Sequence, residues 1–338
     1  MGGDTRHFLT LLEDLRKNKR FHVRLVNTSR GALREGLISN LQVAMRTLWA
    51  VLRGVPQVDV VSFHASDRGM TQFAPLVLSI AKVFRKRTIF RLFGGSFGDF
   101  YLQHGVFLRW FIRLFVFHSD VVLLQTKRMI RQLTGLGCSR LVWFSTYILN
   151  PLRPDGLTEP ASDSSCVHFV FLGHLWRTKG IEIMLESATQ LPNGVTIDLY
   201  GPLDEYYLED IERRGVGRVR YAGFLSHTEI DKKLWDYDCL VLPTFHPGEG
   251  YPGVLAEAFA HGLPVITTNW MAIPECVDES CGILVEPNNT PSFINAVRQV
   301  HENRDLWHSL RAGAQKRAQA FDHFKWARRF EELCEEIC

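Results

Sequence analysis

Short apolar runs rich in β-branched and aromatic residues alternate with helix-length segments along nearly the whole chain, and this alternation restricts the fold more than any other feature. In the first half the runs are 22–28, 58–64, 88–93, 120–125 and 140–145, with helical spacing near 36–53, 71–85, 105–117 and 127–135. After residue 150 they are 167–173, 195–201, 219–222, 239–243, 264–268 and 282–285, and the chain is helical from about 291 onward. A strand that is apolar throughout must be covered on both faces, and a helix-length connection returns the chain to start a parallel neighbour. The pattern therefore predicts an α/β protein with doubly wound parallel sheets. One stretch interrupts it: 150–165, NPLRPDGLTEPASDSS, has three prolines and almost nothing to bury, and reads as a hinge. The expected organisation is a Rossmann-like domain over 1–150, a hinge over 151–165 and a second Rossmann-like domain over 166–320. A C-terminal helix over 321–338 then packs back toward the first domain. The 338 residues suffice for two cores.

Composition excludes other classes. With 46% hydrophobic and 22% charged residues the chain is neither disordered nor fibrous. Seven cysteines, with no C-x-x-C pair, make neither a disulfide framework nor a zinc site and point to a reduced, cytoplasmic protein. No apolar run reaches the length of a membrane span, because Arg109 and Arg113 break the longest candidate, and the first residues lack the apolar core of a signal peptide. Charge is distributed unevenly. Residues 1–150 hold 22 Lys+Arg against 8 Asp+Glu, a net charge of +14, whereas 151–338 hold 17 against 28, a net charge of −11. The first half is thus expected to meet something anionic. Within it, the segment 105–117 sets Arg109 and Arg113 on one helical face among aromatics, which suits the headgroup region on the inner face of a membrane; the competing reading buries that helix against the sheet.

In open parallel sheets ligands bind beyond the carboxyl ends of the strands, so the strand-to-helix loops are where chemistry is expected. The loop Gly173-His174-Leu-Trp-Arg177-Thr-Lys179-Gly brings two cations to a helix start, where they can neutralise a diphosphate. The loop 242–253, LPTFHPGEGYPG, has glycines at 248, 250 and 253 that allow close backbone approach to a ligand, and it carries Glu249. Glu257 lies about one turn into the following helix, and carboxylates are good acceptors for vicinal sugar hydroxyls. Pro252 sits where a first helical turn tolerates proline. Finally, Tyr200-Gly201-Pro-Leu and Tyr221-Ala-Gly-Phe224-Leu225 are strand ends that can frame a flat apolar slot for a nucleobase. The tryptophans 110, 143 and 235 read as core, and His64, His118, His246 and His261 as core or loop residues.

With these residues the chain resembles the retaining nucleotide-sugar glycosyltransferases of the GT-B fold, glycosyltransferase family 4 (glycosyl transferases group 1). Glu249 and Glu257, with seven residues between them, match the family's glutamate pair; 258–265 match its alanine-rich helix and GLPV strand, 267–275 its next loop, and Lys179 its phosphate-binding lysine. The sequence departs from the family at His174, where an arginine is usual, at Phe93 in place of a histidine before glycine, and at 143–147, which lack an asparagine-glycine. The resemblance implies two domains facing a cleft and sugar transfer from a nucleoside diphosphate to a glycan or lipid-linked acceptor, with retention. It further implies Lys179, Arg177 and Glu249 as the catalytic set. Donor contacts would come from Gly173, His174, Gly201, Phe224, Leu225, Gly250, Tyr251, Pro252, Gly253 and Glu257, and the acceptor side from Gly2, Gly3, Gly94 and Gly95. No cofactor or metal is implied; Asp236-Tyr-Asp238 precedes a strand, at the end away from the cleft. The rival readings are an inert sugar-nucleotide-binding subunit and another GT-B enzyme such as an epimerase or a phosphorylase. Met1-Gly2-Gly3 is similar to the loop after the family's first strand, and 5–17 has helical spacing. The run 22–28 would then be a second strand with no first, so the chain is expected to start late and its first domain to be the less stable.

Overall fold

The computed structural model describes residues 3–27, 37–65, 67–149, 167–203 and 205–338. They divide into one unit of Met1–Ser145 with Phe324–Cys338 and another of Thr146–His323. Segment 151–165, expected as a hinge, lies outside the described residues, as do Met1 and Gly2.

The first stretch of chain forms α1 (Gly3–Lys17), α2 (Leu37–Gly54), β1 (Val60–Ala65), α3 (Asp67–Val83), β2 (Arg87–Leu92), α4 (Phe97–Gln103), α5 (Val106–Ile112), β3 (Val121–Leu124), α6 (Lys127–Leu133) and β4 (Leu141–Trp143). The second forms β5 (His168–Leu172), α7 (Ile181–Ser187), β6 (Thr196–Tyr200), α8 (Glu205–Arg214), β7 (Val219–Gly223), α9 (His227–Lys233), β8 (Cys239–Leu242), α10 (Gly253–Ala260), β9 (Val265–Thr268), β10 (Gly282–Val285), α11 (Thr290–Glu302), α12 (Arg304–Ala318) and α13 (His323–Ile337).

In the first unit β1, β2, β3 and β4 pair in that order, all parallel. Both central strands are buried nearly throughout: β3 is apolar at every position, and β2 buries Thr88 and Arg91 among its apolar residues. α6 starts where Thr126 accepts a hydrogen bond from the Met129 amide at 3.1 Å. Except for its first residue, α13 belongs to this unit. Trp326 meets the rings of Trp143 and Phe144 edge-on at 5.1 and 5.2 Å, and Arg140 pairs with Glu336.

Two expectations fail here. Residues 22–27 form no strand, and Thr28 lies outside the described residues. Alternating apolar residues make a strand only where a sheet edge receives them. Here Leu25 is exposed, and the segment is held instead by Arg24 on Gln57 and by Arg46 Nη2 on the Asn27 carbonyl at 3.3 Å. Trp110 is exposed rather than core. Arg109 Nε donates to the Tyr101 carbonyl at 3.1 Å and Arg113 Nε to the Tyr101 hydroxyl at 2.9 Å, so both arginines are tied to α4, Arg109 half-buried and Arg113 exposed.

The second unit holds one parallel sheet in the order β10-β9-β8-β5-β6-β7. β8 and β9 are buried along their whole length. Asp238 accepts hydrogen bonds from the amides of Val167 and His168 at 2.9 and 2.8 Å, fixing the amino ends of β5 and β8. Chain order runs outward from β5 to β7 on one side and from β8 to β10 on the other. The strand order therefore reverses between β5 and β8.

Candidate active site at the strand crossover

At such a reversal the connections from two adjacent strands depart in opposite directions and leave a crevice beyond their carboxyl ends. The loop after β5 carries Lys179; the loop after β8 carries Glu249. Two backbone features press these loops together. Gly180 has φ +89°, and a Cβ placed on it would stand 2.3 Å from the Pro243 carbonyl oxygen, so the loops touch through main chain where only glycine fits. Beside it, the Phe245 amide donates to the Thr178 carbonyl at 2.8 Å.

The consequence is an ion pair. Lys179 Nζ lies 2.9 and 2.7 Å from the two Glu249 carboxylate oxygens, with only 17% and 9% of the two side chains exposed. Thr244 Oγ1 donates to the same carboxylate at 2.8 Å. His246 closes this edge. Its Nδ1 is 3.0 Å from the Thr178 hydroxyl, its carbonyl accepts the Trp270 indole N–H at 2.9 Å, and burial, aided by the Lys179 charge, lowers its pKa below the ordinary 6.5. Trp176 lies 5.6 Å from the His246 ring and stacks on His174 at 4.7 Å. Sequence reading passes over Thr244 and Trp176 and sets His246 aside as core or loop. The only signal for Thr244 is that a polar side chain directly follows a buried strand.

The other expected residues divide by location. Gly250 and Tyr251 are buried, and the Tyr251 hydroxyl donates to Glu275 at 2.6 Å. Pro252 is the N-cap of α10 rather than part of its first turn, because its extended ψ of 122° lies outside the helix, and Gly253 begins the helix. Glu257 is half-buried one turn further on. Arg177 is exposed and makes no ion pair among the described residues. Beyond β6, Gly201 has φ +144°, and a Cβ there would stand 1.9 Å from the Gly173 carbonyl oxygen. Its amide donates to the Gly223 carbonyl at 3.0 Å and the Tyr221 hydroxyl to its carbonyl at 3.1 Å, so the ends of β5, β6 and β7 stay joined past the sheet. Phe224 is exposed just beyond them, next to half-buried Leu225. Gly94 and Gly95 follow β2 in the first unit, where the Gly94 amide donates to Gln125 Oε1 at 3.1 Å, and Gly3 is the first residue of α1. Among the described residues no group of three or more His, Cys, Asp or Glu side chains could hold a metal ion. Asp236 pairs with Lys233 at 2.8 Å, and Asp238 lies at the amino end of its strand, away from the crossover loops.

Comparison with known proteins fits this geometry. Residues 167–303 match the family model of the glycosyl transferases group 1. Among curated proteins, O-antigen chain mannosyltransferase B of Escherichia coli is 26% identical over 46% of this chain and 42% of its own length. The colanic acid biosynthesis glycosyltransferase WcaL of Escherichia coli K12, itself described as putative, is 29% identical over 36% and 33%. The chain thus matches less than half the length of these relatives. Among solved structures, HepE of Anabaena in complex with UDP aligns with a TM-score of 0.70 at 16% identity, covering 86% of this chain and 82% of that one. Sucrose-phosphate synthase of Thermosynechococcus elongatus aligns at 0.68 and 16%, covering 90% and 79%. The fold is therefore GT-B, with two Rossmann-like units.

Proposed function

We propose that this chain transfers a sugar from a nucleoside-diphosphate sugar to a glycan or lipid-linked acceptor, with retention at the anomeric carbon. The observation that carries the reading is the Lys179–Glu249 pair at the β5/β8 crossover. A half-buried cation next to a buried carboxylate matches the two needs of such a donor, an anionic diphosphate and a hydroxyl-bearing ring. The match of 167–303 to glycosyl transferases group 1, and UDP in the structure of the Anabaena neighbour, support it.

In this reading Lys179 and Arg177 neutralise the diphosphate, with the positive end of α10 contributing. Glu249 holds the sugar hydroxyls, and Gly250, Tyr251 and Pro252 lie near the sugar and phosphates. Glu257 takes the ribose diol; Gly201, Phe224 and Leu225 take the base. Gly2, Gly3, Gly94 and Gly95 serve the acceptor side. The bond from the anomeric carbon to the diphosphate oxygen breaks while the acceptor oxygen bonds to that carbon on the same face, and the acceptor proton passes to the departing phosphate oxygen. Preorganised cations stabilise the charge that accumulates there, so turnover requires no divalent metal. A thermal-shift panel of UDP-, GDP-, ADP- and TDP-sugars on the purified protein tests the donor class, followed by a transfer assay. The reading fails if no nucleoside diphosphate or its sugar raises the melting temperature. Binding without transfer or hydrolysis would identify an inert binding subunit.

A further inference from the structure

We propose that the first unit rests on an anionic phospholipid bilayer through the outer face of α2, with the amino end of α5 as a second contact. α2 is apolar on two sides. Its inner side buries Val43, Thr47 and Val51, while Leu41, Met45, Leu48, Trp49 and Leu52 form a second, outward stripe. Leu41 is 62%, Met45 63% and Trp49 59% exposed. The spacing of four, three, one and three residues keeps all five on one face of a helix about 27 Å long. Arg46 and Arg53 flank the stripe, and the Arg53 guanidinium lies 3.9 Å from the Trp49 ring centre. At the end of α3, Val83 and Phe84 are exposed beside Lys82, Arg85 and Lys86. On α5, Val106 is 84% and Phe107 78% exposed, with Trp110 next to Phe107 at 6.0 Å.

Such a stripe on an ordinary surface helix is an unfavourable arrangement unless something covers it. Charge selects the occupant. Residues 1–150 have a net charge of +14, which opposes pairing with a second copy of the same surface. It favours a surface that offers negative headgroups and, just beneath them, an apolar layer. Tryptophan between the two environments, with arginines at its margin, suits that boundary. No described helix is long and apolar enough to cross a membrane, so the contact lies on the bilayer plane. Arg109 and Arg113 are hydrogen-bonded to Tyr101 and are not part of the α2 stripe.

The test is co-sedimentation of the full chain with vesicles of phosphatidylglycerol and phosphatidylcholine, compared with phosphatidylcholine alone, at low and high salt. The expected result is binding to the anionic vesicles that weakens with salt. Met45→Gln with Trp49→Gln should lower the partition constant about tenfold or more. Arg53→Glu should lower the anionic preference, at about fivefold or more per unit of charge changed. The melting temperature and nucleotide binding in solution should remain unchanged in both variants, so a negative result here would leave the donor-site reading intact. Equal binding to both kinds of vesicle, or indifference to the α2 substitutions, overturns the proposal. A lipid-free dimer that these substitutions dissolve would also overturn it, since the stripe would then be a self-interface.

Discussion

Glu249→Gln removes one charge from the crossover while keeping the size and most hydrogen bonds of the side chain. At 2.7 Å the Lys179–Glu249 pair has a gross attraction of about 6 kcal/mol at an effective dielectric constant of ~20, most of which offsets desolvation. Breaking a fully buried pair costs about 3–5 kcal/mol; with 17% of Lys179 exposed, about 2–3 kcal/mol is expected here. For a unit of this size that lowers the melting temperature by about 5–10 °C. The same substitution frees Lys179 for an anion. On the proposed reading Glu249→Gln binds UDP or GDP more tightly than the parent, by about tenfold, yet turns over about 10²–10³-fold more slowly because the sugar has lost its carboxylate. Lys179→Met should slow turnover similarly but weaken nucleotide binding. Calorimetric titration of both variants with the nucleotide, alongside steady-state transfer, separates the two roles. If the variants shift nucleotide affinity in the same direction, or if Glu249→Gln melts with the parent, then the pair is not the element that organises the site.

Gly180→Ala forces a Cβ against the Pro243 carbonyl in a left-handed conformation; it should cost about 1–3 kcal/mol by thermal denaturation and lower transfer together with it. Transfer should persist in excess chelator, and loss of activity that Mg²⁺ or Mn²⁺ restores would place a metal in the mechanism. His64 is half-buried, its ring packed against Phe8, Phe93 and Phe330 near Arg91 and its Nε2 2.8 Å from the Ser62 hydroxyl, and burial with the Arg91 charge lowers its pKa well below 6.5. It is neutral when folded and takes up a proton on unfolding below 6.5. Stability of the first unit should therefore hold above that pH and fall as pH drops below it, with a slope approaching ~1.4 kcal/mol per pH unit. Chemical denaturation across pH should show this in the parent chain and a flatter dependence in His64→Gln.

Strand positions were legible because a buried parallel strand has no polar face to disguise it: 121–124 and 239–242 are apolar in sequence and buried in structure. The run 22–28 mixes apolar with polar residues, yet 22–27 form no strand, since pairing depends on a neighbouring edge that local sequence does not encode. The Lys179–Glu249 pairing was legible only as two adjacent motifs. Their direct contact depends on β5 and β8 being neighbours, across 66 intervening residues of chain order that the sheet skips. His246 and Trp176 were not legible as site residues at all; a lone histidine in a proline-flanked loop has the same sequence signature whether it lies beside a buried charge pair or on open surface. Helix α2 was legible as a helix but not as two-sided, because Leu41, Met45, Leu48, Trp49 and Leu52 look in sequence like the inward face of a surface helix.

The contact of Lys179 with Glu249 also addresses a problem that the donor-site reading creates. A site shaped for a diphosphate and a sugar must hold a cation and a carboxylate in a place largely closed to water even when it is empty, and each alone would be costly to bury. Placed against each other they form their own counterions, with Thr244 supplying a further donor to the carboxylate. On the proposed reading the arriving donor exchanges partners: the diphosphate replaces the carboxylate at Lys179, and the sugar hydroxyls replace the ammonium at Glu249. The diphosphate gives Lys179 a new anionic partner and the hydroxyls give the Glu249 carboxylate hydrogen-bond donors, so neither group is left bare. It also assigns the glycines different work. Gly180 faces Pro243 rather than a ligand, holding the two loops at the spacing where the exchange can occur. A substitution there should consequently impair the empty protein as much as the loaded one, whereas a substitution at Glu257, half-buried a turn into α10, should act chiefly on the loaded one. Melting curves of Gly180→Ala and Glu257→Gln with and without UDP or GDP distinguish the two: the first variant should lose the same stability in both conditions, the second should also shrink the increment that nucleotide adds.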